Sequence, residues 1–516
     1  TYLEAAMTSE LQGNVIDLCP VGALTSKPYE FTARPWELRK TETIDVMDAV
    51  GSNIRVDARG REIMRILPAN NDAVNEEWIS DKTRFVWDGL KVQRLDRPYV
   101  RIDGKLQPAS WSDALTAIAD RVNAAKPERV AALAGDLAAT EDMFALKALM
   151  QSIGSPHMDC RQDGSTLGDV GGRAGYLFNA TIAGIEDADA ILLVGTNPRR
   201  EAAIINARIR KSWLAGDTKI GLIGEKAELT YDYDFLGAGP DSLKALANGE
   251  GSFAKVLKKA ERAMIIVGAG AVARADGAAV LGLAAALATS VGAVSAEWNG
   301  FCVLHNAAAR VGGLDVGFVP GAGGRATAAI LEATNSGEID IVYLLGADEI
   351  DVTRLGDAFV IYQGSHGDRG AHRADVILPG AAFTEKSATY VNTEGRPQAA
   401  RRAVFPPGEA REDWAIIRAL SERLGSKLGF DSLKQFRQQM IEAHPALGDI
   451  DVATAADPAG IEQLAKLAQT QTTDSAAFVG VVDEYYATNP IARASKVMAE
   501  LSAMEVMRKD ATGTHG

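Results

Sequence analysis

Residues 188–196 read ADAILLVGT, a run of apolar side chains that closes with Gly195 and Thr196. Continuous apolar runs of this length are typical of strands buried on both faces of a parallel sheet. Similar runs recur, and most of them also end in glycine: RVAALAG (129–135), TKIGLIG (218–224), AMIIVGAG (263–270), DIVYLLG (340–346), AFVIYQG (358–364) and ADVILPG (374–380). Helix-forming stretches separate them. The alternation predicts doubly wound α/β domains over residues 98–430.

Three shorter parts flank this α/β body. Residues 41–97 alternate apolar and polar side chains around a Gly-Arg turn, which predicts a small β-rich domain built from hairpins. A further strand–turn–strand pattern, with Asp103 and Gly104 at its tip, is grouped with this region. Residues 1–40 end in a segment with two prolines and three aromatic residues, typical of an irregular strap lying on a neighbour. Residues 431–516 are predicted to form surface helices and loops.

Composition and charge narrow the function classes. The chain has 516 residues, of which 47% are hydrophobic and 24% charged, so a large buried core is expected. Its net charge of −14 argues against nucleic acid as a partner, since phosphate would be repelled. Three cysteines cannot form a disulfide framework, which indicates a reducing compartment. Residues 277–296 carry no charge, but they are mostly Ala and Gly and are predicted to be a buried helix rather than a membrane span.

Two turns at predicted strand ends are candidate ligand sites. Gly268, Gly270 and Ala273 match the glycine spacing of a dinucleotide fingerprint, but no acidic residue stands about 20 positions further on, as that motif requires. A tight strand-to-helix turn is the alternative interpretation. The turn GTNPRRE (195–201) follows another strand, where α/β proteins bind ligands. A helix start without a ligand is the alternative there.

Histidines and cysteines occur in three places that could form sites. Residues 362–398 contain His366, Asp368 and His372, but Gly and Ala interrupt the run and no candidate nucleophile lies nearby, so a structural loop is the alternative to a metal site or triad. Cys302 and His305 supply only two metal ligands. A further pair, His157 and Cys160, is compatible with a nucleophile site or with a buried free thiol.

Cys19 stands in the stretch NVIDLCPVGAL (14–24). A Cys-Pro pair of this kind is typical of the last ligand of a ferredoxin-type iron–sulfur cluster, which needs about four ligands, mostly thiolates. The other two cysteines, Cys160 and Cys302, are far away in sequence. From the residues alone, a cluster ligand and a buried free cysteine both remain open.

Several long segments together resemble the large iron–sulfur subunit of the peripheral arm of respiratory complex I, which is known as the 75 kDa subunit in mitochondria and has a direct counterpart in the bacterial NADH–quinone oxidoreductase. The matching segments are GNVIDLCPVGALTSKPYEFTARPWELRKTETIDVMDAVGSNI (13–54), NEEWISDKTRFVWDGLKVQRL (75–95), ADAILLVGTNPR (188–199) and HGDRGAHRADVILPGAAFTEKSATYVNTEGRPQ (366–398). They cover most of the chain up to about residue 400. The resemblance implies a molybdopterin-oxidoreductase-like fold, preceded by the end of a ferredoxin-like region in residues 1–40.

The resemblance also implies a role for Cys19. In this family a ferredoxin-like region holds one [2Fe–2S] and two [4Fe–4S] clusters, and the cysteine of the CPVGAL motif is the fourth ligand of one [4Fe–4S] cluster. By this comparison Cys19 is that ligand, and its partners are expected before Thr1. Residues 41–97 contain no cysteine, and Ser80 stands where a cluster-binding relative has one, so no cluster is expected in that domain. No molybdopterin is expected either.

The function implied by the resemblance is that of an electron-transfer and scaffold subunit of a proton-translocating NADH–quinone oxidoreductase. No catalytic residue is expected in this chain, since the flavin and NADH sites of the family lie on a neighbouring subunit. The expected partners are that subunit and the subunits of the quinone module. The expected location is peripheral, on the cytoplasmic face of a bacterial inner membrane or, alternatively, on the matrix side of the mitochondrial inner membrane. A molybdopterin-dependent catalytic subunit is the alternative function.

Overall fold

Four β-sheets and the helices around them form the part of the chain that the computed structural model describes, residues 7–216 and 218–510. The strands are β1 (Arg39–Ile44), β2 (Asn53–Arg59), β3 (Glu62–Pro68), β4 (Tyr99–Ile102), β5 (Lys105–Pro108), β6 (Val130–Ala134), β7 (His157–Asp159), β8 (Ala190–Val194), β9 (Lys219–Ile223), β10 (Asp234–Gly237), β11 (Ala263–Val267), β12 (Phe301–Val303), β13 (Ile341–Leu345), β14 (Phe359–Gly364), β15 (Val376–Pro379), β16 (Ala388–Val391) and β17 (Pro397–Ala400).

Most of the helices are short and connect or cover these strands. They are α1 (Asn14–Leu18), α2 (Asp81–Phe85), α3 (Trp111–Ala124), α4 (Thr140–Ile153), α5 (Pro198–Glu201), α6 (Ala203–Ala215), α7 (Pro240–Ala247), α8 (Ser252–Lys259), α9 (Ala269–Val272), α10 (Gly277–Ser290), α11 (Arg310–Asp315), α12 (Thr327–Asn335), α13 (Arg369–Arg373), α14 (Asp413–Arg423), α15 (Leu433–Ala443), α16 (Ala459–Ala465), α17 (Leu467–Thr470), α18 (Pro490–Ala494) and α19 (Lys496–Asp510).

The small β-rich region is an antiparallel sheet in the order β1-β2-β3. Its strands β2 and β3 form a hairpin whose turn contains Gly60 at φ +64°, a conformation that glycine adopts without steric cost. Alternate side chains, including Ile54, Val56 and Ile66, are buried on one face. After β3 the chain leads to α2, and the first helix of the chain, α1, packs against α2.

A seven-stranded sheet forms the larger α/β layer, in the order β5-β4-β15-β14-β13-β6-β7. The five strands from β15 to β7 are parallel, and the central ones are buried along their whole length, as their apolar runs predict. The hairpin around Asp103 and Gly104 does not belong to the small sheet. Its strand β4 pairs antiparallel with β15 and so closes one edge of the larger sheet.

A second sheet, entirely parallel, is inserted between β7 and β13 in the order β10-β9-β8-β11-β12. Both sheets have a parallel core, as expected for doubly wound α/β domains. The uncharged run at 277–296 contains α10, which packs against β11 and α16. In the described part of the chain, no helix combines the length and apolar character that crossing a bilayer requires.

The helices of the C-terminal part bury single apolar side chains against their neighbours. Phe436 of α15 is fully buried and stacks on Phe430 at a centroid distance of 4.1 Å. Ile461 and Leu464 of α16 are buried against α10. The helices α15 and α16 therefore lie at the surface with one face buried, since few but well-spaced apolar residues are enough to bury one helix face against a neighbour.

Candidate functional site

Cys19 lies directly after α1, with an extended backbone at φ −75° and ψ 107°. The helix ends here because Pro20 follows, and the residue before a proline is disfavoured in helical conformation. The Cys19 side chain is partly exposed, whereas Cys160 and Cys302 are buried in the α/β body. The chain therefore presents one thiol near its surface, at the end of a short helix.

Backbone N–H groups of the loop after Cys19 lower the pKa of its thiol. Those of Leu24 and Val21 lower the pKa of the thiol most, a small desolvation effect opposes them, and those of Ala23 and Gly22 lower it further. The loop can turn back on the sulfur because Gly22 adopts φ +66°. Iron binds the thiolate, and hydrogen bonds to sulfur tune cluster potentials. The loop thus stabilises the form of Cys19 that a cluster requires.

The helix that carries Cys19 is fastened to α2 by side-chain hydrogen bonds. Asn14 donates from Nδ2 to the carbonyl oxygen of Ile79 (2.8 Å), and its Oδ1 accepts from Arg84 Nη2 (2.8 Å). The same Nη2 donates to Asp17 Oδ2 at 2.6 Å. Arg84 therefore contacts α1 near its first residue and near its last turn.

A second attachment joins the start of α1 to Asp81. The backbone N–H of Gly13 donates to Asp81 Oδ1 at 2.7 Å. Burial raises the pKa of Asp81 to about 7, although the Gly13 N–H and the Arg84 charge oppose the shift. A Cβ at Gly13 would lie 2.6 Å from Arg84 Cδ and 2.7 Å from Asp81 Oδ1, so a larger residue would displace these side chains. Several hydrogen bonds therefore join α1 to the segment around α2.

Ser80, where a cluster-binding relative is expected to have cysteine, is the N-cap of α2. Its Oγ accepts a hydrogen bond from the backbone N–H of Thr83 at 3.1 Å, and the side chain is buried. Serine is a favourable N-cap residue, and a hydroxyl is a poor ligand for iron. Its structural role here is therefore to start the helix that holds α1.

The glycine fingerprint at 268–273 forms a strand-to-helix turn. A later segment of the same chain, residues 476–480, packs directly on this turn. A Cβ at Gly270 would lie 2.4 Å from the carbonyl oxygen of Val479 and 2.8 Å from that of Gly195. The segment 476–480 is held there by Arg274, which donates to the carbonyl oxygen of Ala476 at 2.9 Å. A phosphate group would need the place that this backbone takes.

The turn at 195–201 is likewise occupied by contacts within the chain. Glu201 accepts from the Asn197 backbone N–H at 2.7 Å and from Thr196 Oγ1 at 3.0 Å. Arg199 forms an ion pair with Glu10 at 2.9 Å, and Arg200 forms one with Glu505. These partners engage the charged groups of the turn, whereas the buried Asn197 Oδ1 has no hydrogen-bond partner within the described residues.

The histidines of the 362–398 segment act as structural groups. His366 is buried, its Nε2 lies 3.0 Å from the carbonyl oxygen of Gly89, and burial lowers its pKa to about 3. Asp368 forms an ion pair with Arg493. His372 Nδ1 is hydrogen-bonded to the backbone carbonyl oxygen of Asp368. Within the described residues no three His, Cys, Asp or Glu side chains converge as a metal site would require.

The two remaining cysteine–histidine pairs do not form reactive sites. Burial raises the pKa of Cys302 and of Cys160 to about 12, so both stay as neutral thiols. His305 Nε2 lies 2.6 Å from the carbonyl oxygen of Tyr176, and His157 Nδ1 accepts from a backbone N–H. Neither histidine is hydrogen-bonded to a thiol, which favours the buried-thiol interpretation of both pairs.

A cavity of about 660 Å³ lies where the carboxyl ends of both parallel sheets meet. Its wall also includes residues 481–484 and 487–489 of the C-terminal segment, and it contains no cysteine. Six carboxylate side chains line it together with five cations, Lys82, Arg200, Arg310, Arg369 and Arg493. Ion pairs within the chain already engage several of these charges, such as Arg310 with Asp163 at 2.8 Å and Arg493 with Glu349 at 2.9 Å.

Comparison with known proteins relates this architecture to one family. The chain is 49% identical to the mitochondrial NADH-ubiquinone oxidoreductase 78 kDa subunit of Neurospora crassa, over 98% of this chain and 68% of the relative. It is 47% identical to the corresponding NADH-quinone oxidoreductase subunit of the bacterium Rickettsia felis, over 97% of this chain and 72% of the relative. The chain belongs to the family of large iron–sulfur subunits of NADH–quinone oxidoreductase.

Family models match successive parts of this iron–sulfur subunit. The NADH-quinone oxidoreductase subunit 3 ferredoxin-like model matches residues 1–25, and the NDSU1/NuoG-like 4Fe-4S domain matches residues 38–88. The molybdopterin oxidoreductase model matches residues 94–423, and a C-terminal model of the same NADH-ubiquinone oxidoreductase subunit matches residues 452–501. The acetylene hydratase of Pelobacter acetylenicus has the same fold, with a TM-score of 0.56 and 14% identity over 75% of this chain and 70% of that one. The predicted fold class is therefore confirmed.

The molybdopterin oxidoreductase fold raises the question whether this iron–sulfur subunit could hold a pterin cofactor, and its cavity does not fit one. Backbone of the segment 476–480 covers the glycine turn at Gly270, where a phosphate would approach. Arg310 and Arg493, which could bind phosphate, are paired with carboxylates. No described residue lining the cavity supplies the soft thiolate that a metal of this kind prefers.

Arg84, Asn14 and Asp81 hold the start of the helix that precedes Cys19, and no sequence pattern distinguishes them. Arg84 stands in the polar stretch SDKTRF (80–85), which looks like any exposed charged segment. Only the fold brings it to α1, some 70 residues away along the chain. The family resemblance includes residues 75–95, but nothing in the sequence spacing connects Arg84 with Cys19.

Proposed function

We propose that this chain is an electron-transfer and scaffold subunit of the peripheral arm of NADH–quinone oxidoreductase, in which iron–sulfur clusters carry electrons from NADH and flavin towards quinone. The observation that carries the proposal is the position of Cys19, a partly exposed thiol directly after α1 in the stretch that the ferredoxin-like model matches. Membership of the large iron–sulfur subunit family and the ferredoxin-like match over residues 1–25 support it.

In this proposal Cys19 is the fourth ligand of a [4Fe–4S] cluster. When bound, such a cluster takes up and releases one electron at a time. The residues of this chain hold one corner of it: Cys19 donates sulfur to iron, the N–H groups of Val21 and Leu24 stabilise the negative charge, and α2 fixes the helix in front of the ligand. The other three thiolates come from polypeptide outside this sequence.

The remaining assignments follow from the same proposal. Residues 41–97 hold no cluster, and the α/β body of 98–430 is a scaffold without molybdopterin. Residues 1–40 end the ferredoxin-like region, and 431–516 form the C-terminal tail. Further [4Fe–4S] and [2Fe–2S] clusters lie in the ferredoxin-like region outside this sequence. The partners are the flavin- and NADH-binding subunit and the quinone-module subunits, on the cytoplasmic face of a bacterial inner membrane or, alternatively, on the mitochondrial matrix side.

Replacing the ligand tests the proposal. Cys19→Ala in the full-length subunit, assembled in the intact complex, is expected to remove the electron paramagnetic resonance signal of one [4Fe–4S] cluster. Electron transfer from NADH to quinone should fall by more than about tenfold, because the electron path loses one step. Iron and acid-labile sulfide should decrease by about four atoms each, the content of one such cluster.

The matched control is Cys302→Ala, which removes a thiol that is buried in β12. This variant should keep every cluster signal, since a buried neutral thiol does not bind iron. Full retention of all signals in the Cys19→Ala complex would contradict the proposal.

A further inference from the structure

A second cavity, of about 740 Å³, is lined by α6 and by the loop that follows β9, and we call it the α6 cavity. Helix α6 contributes Asn206, Arg210 and Trp213, the loop contributes residues 227–233, and residues 9–11 complete the lining. The volume is within the range of clefts that hold small organic ligands. The α6 cavity shares no lining residue with the charged cavity between the sheets, so it is a separate place in the fold.

Arg210 and Asp232 are the charged side chains of the α6 cavity that remain without an ion pair in the described part of the chain. Arg210 is half-buried, and Asp232 is exposed. The other two charged groups of the lining, Glu10 and Glu228, both form ion pairs with Arg199. A half-buried guanidinium without a carboxylate partner is available to an anion, and it can bind a phosphate through two parallel hydrogen bonds.

Aromatic rings form much of the apolar lining. Trp213 is half-buried, and the Arg210 guanidinium lies over it at 5.9 Å from the ring centroid. Tyr233 is also half-buried, and its hydroxyl donates to the carbonyl oxygen of Ala227 at 2.8 Å, which fixes the ring within the loop. Nucleobases stack on aromatic side chains and on guanidinium groups. The α6 cavity therefore offers stacking surfaces close to an unpaired positive charge.

The loop of the α6 cavity contains a strained residue. Thr230 has φ +71°, a left-handed conformation that is an outlier for a β-branched side chain. Contacts on both sides of it hold the loop on α6: the Tyr231 hydroxyl donates to Asn206 Oδ1 at 3.0 Å, and Asn206 Nδ2 donates to the carbonyl oxygen of Leu229 at 3.2 Å. Strained residues that their surroundings hold in this way cluster at ligand-binding sites.

We propose that the α6 cavity binds a nucleoside phosphate. Arg210 binds the phosphate group, Trp213 and Tyr233 stack on the base, and the ribose hydroxyls donate to the carboxylate of the exposed acidic residue at 232. The loop begins at the carboxyl end of β9, the edge at which open parallel sheets bind ligands. A cleft of this size encloses one small molecule, whereas protein–protein contacts bury larger surfaces. The inference uses no contact of Cys19 and goes beyond the proposed electron transfer.

Photolabelling of the intact complex with 8-azido-ADP tests the inference. Mass spectrometry of the digested complex should find the label in a peptide that contains residues 206–213 or 227–233. Unlabelled ADP should compete with the label. Adenosine should compete at least about tenfold more weakly, because it lacks the charged group that Arg210 binds. Inorganic pyrophosphate should also compete more weakly than ADP, since it lacks the base.

Variants of the lining separate the two parts of the site. Arg210→Gln should reduce the labelling by about tenfold or more and abolish the preference for ADP over adenosine, whereas Arg210→Lys should keep part of both. Trp213→Leu should weaken ADP and adenosine equally, because both carry the same base. Arg262→Gln is the matched control, since Arg262 also lies over an indole ring, that of Trp298 at 5.6 Å, but does not line the α6 cavity. It should leave the labelling unchanged.

Three results would overturn the inference. The first is the absence of label from both peptides at about 1 mM 8-azido-ADP, a concentration at which even weak binding is detected; a neighbouring subunit that covers the α6 cavity would produce this result. The second is equal competition by ADP and adenosine, because no anion would then be recognised. If the Arg210→Gln complex does not assemble, the exposed Asp232→Asn decides, and unchanged labelling in that variant is the third.

Discussion

The three cysteines of the chain have different chemistry because their surroundings differ. Backbone N–H groups lower the pKa of Cys19, whereas burial raises the pKa of Cys160 and Cys302 to about 12. Only a thiolate binds iron or attacks an electrophile at neutral pH. Cys19 is therefore the one cysteine of the described chain whose surroundings suit metal binding, and this difference cannot be derived from composition.

Glu201 makes the stability of the protein depend on pH. Burial raises the pKa of Glu201 to about 7, although hydrogen bonds from Asn197 and Thr196 oppose the shift. In the unfolded chain the pKa is close to 4.5, so the stabilisation is complete below that pH and is lost as pH rises through about 7. Relative to Glu201→Gln, the wild-type free energy of unfolding should fall by about 2–3 kcal/mol between pH 5 and pH 8.

Urea unfolding of both proteins at the two pH values measures this difference, in which any constant effect of the substitution cancels. The exposed Glu250→Gln is the control and should change the free energy of unfolding by less than about 0.5 kcal/mol at either pH. An equal difference between wild type and Glu201→Gln at both pH values would contradict the assignment.

Among the elements, α1 depends most on its neighbours. It has only five residues, and isolated helices of that length are not stable in water. Its conformation is determined by the bonds of Asn14, Asp17 and Gly13 to α2. The position of Cys19 is consequently a property of the contact between two elements.

The glycine turn after β11 allows a test of whether contact with Gly270 holds the C-terminal segment 476–480 in place. Gly270→Ala places a methyl group against the carbonyl oxygens of Val479 and Gly195, so the segment 476–480 should detach. The Phe478 N–H, which donates to the Ala238 carbonyl oxygen at 2.8 Å, should then exchange with deuterium at least about tenfold faster, for a cost of roughly 1–3 kcal/mol.

Gly429→Ala is the control for this experiment, since the nearest atom to a Cβ there is 4.0 Å away. It should leave the Phe478 exchange rate unchanged. Unaltered exchange in Gly270→Ala would show that the turn accepts a side chain and that the segment does not depend on it.

At the scale of the whole molecule, metal content distinguishes the scaffold from a molybdenum enzyme. The cavity between the sheets is lined by charges that are largely paired, and the glycine turn is covered. The purified complex should therefore contain iron and acid-labile sulfide, but molybdenum far below one atom per subunit, as measured by inductively coupled plasma mass spectrometry. Stoichiometric molybdenum would contradict the scaffold assignment and support the molybdopterin-dependent alternative.

Sequence patterns predict the strands and helices whose burial depends on local composition. Strands β8, β11 and β13 lie inside the apolar runs at 188–196, 263–270 and 340–346, because burial on both faces requires continuous apolar side chains. The contact of Arg84 with α1 and that of Val479 with Gly270 were not predictable in this way. They join residues far apart in sequence, and a polar residue in such a contact has no local feature that distinguishes it from a solvated one.

The insertion of one parallel sheet within the other has a consequence for synthesis on the ribosome. Val130 of β6 pairs with Ile341 of β13, so this neighbour is missing until all intervening residues have been made. At translation rates of about 5–20 residues per second, the delay is roughly 10–40 seconds. The inserted sheet has all its strands within residues 190–303 and can form first. During that interval no strand pairs with this edge of β6. We therefore expect ribosome-associated chaperones to bind the nascent chain.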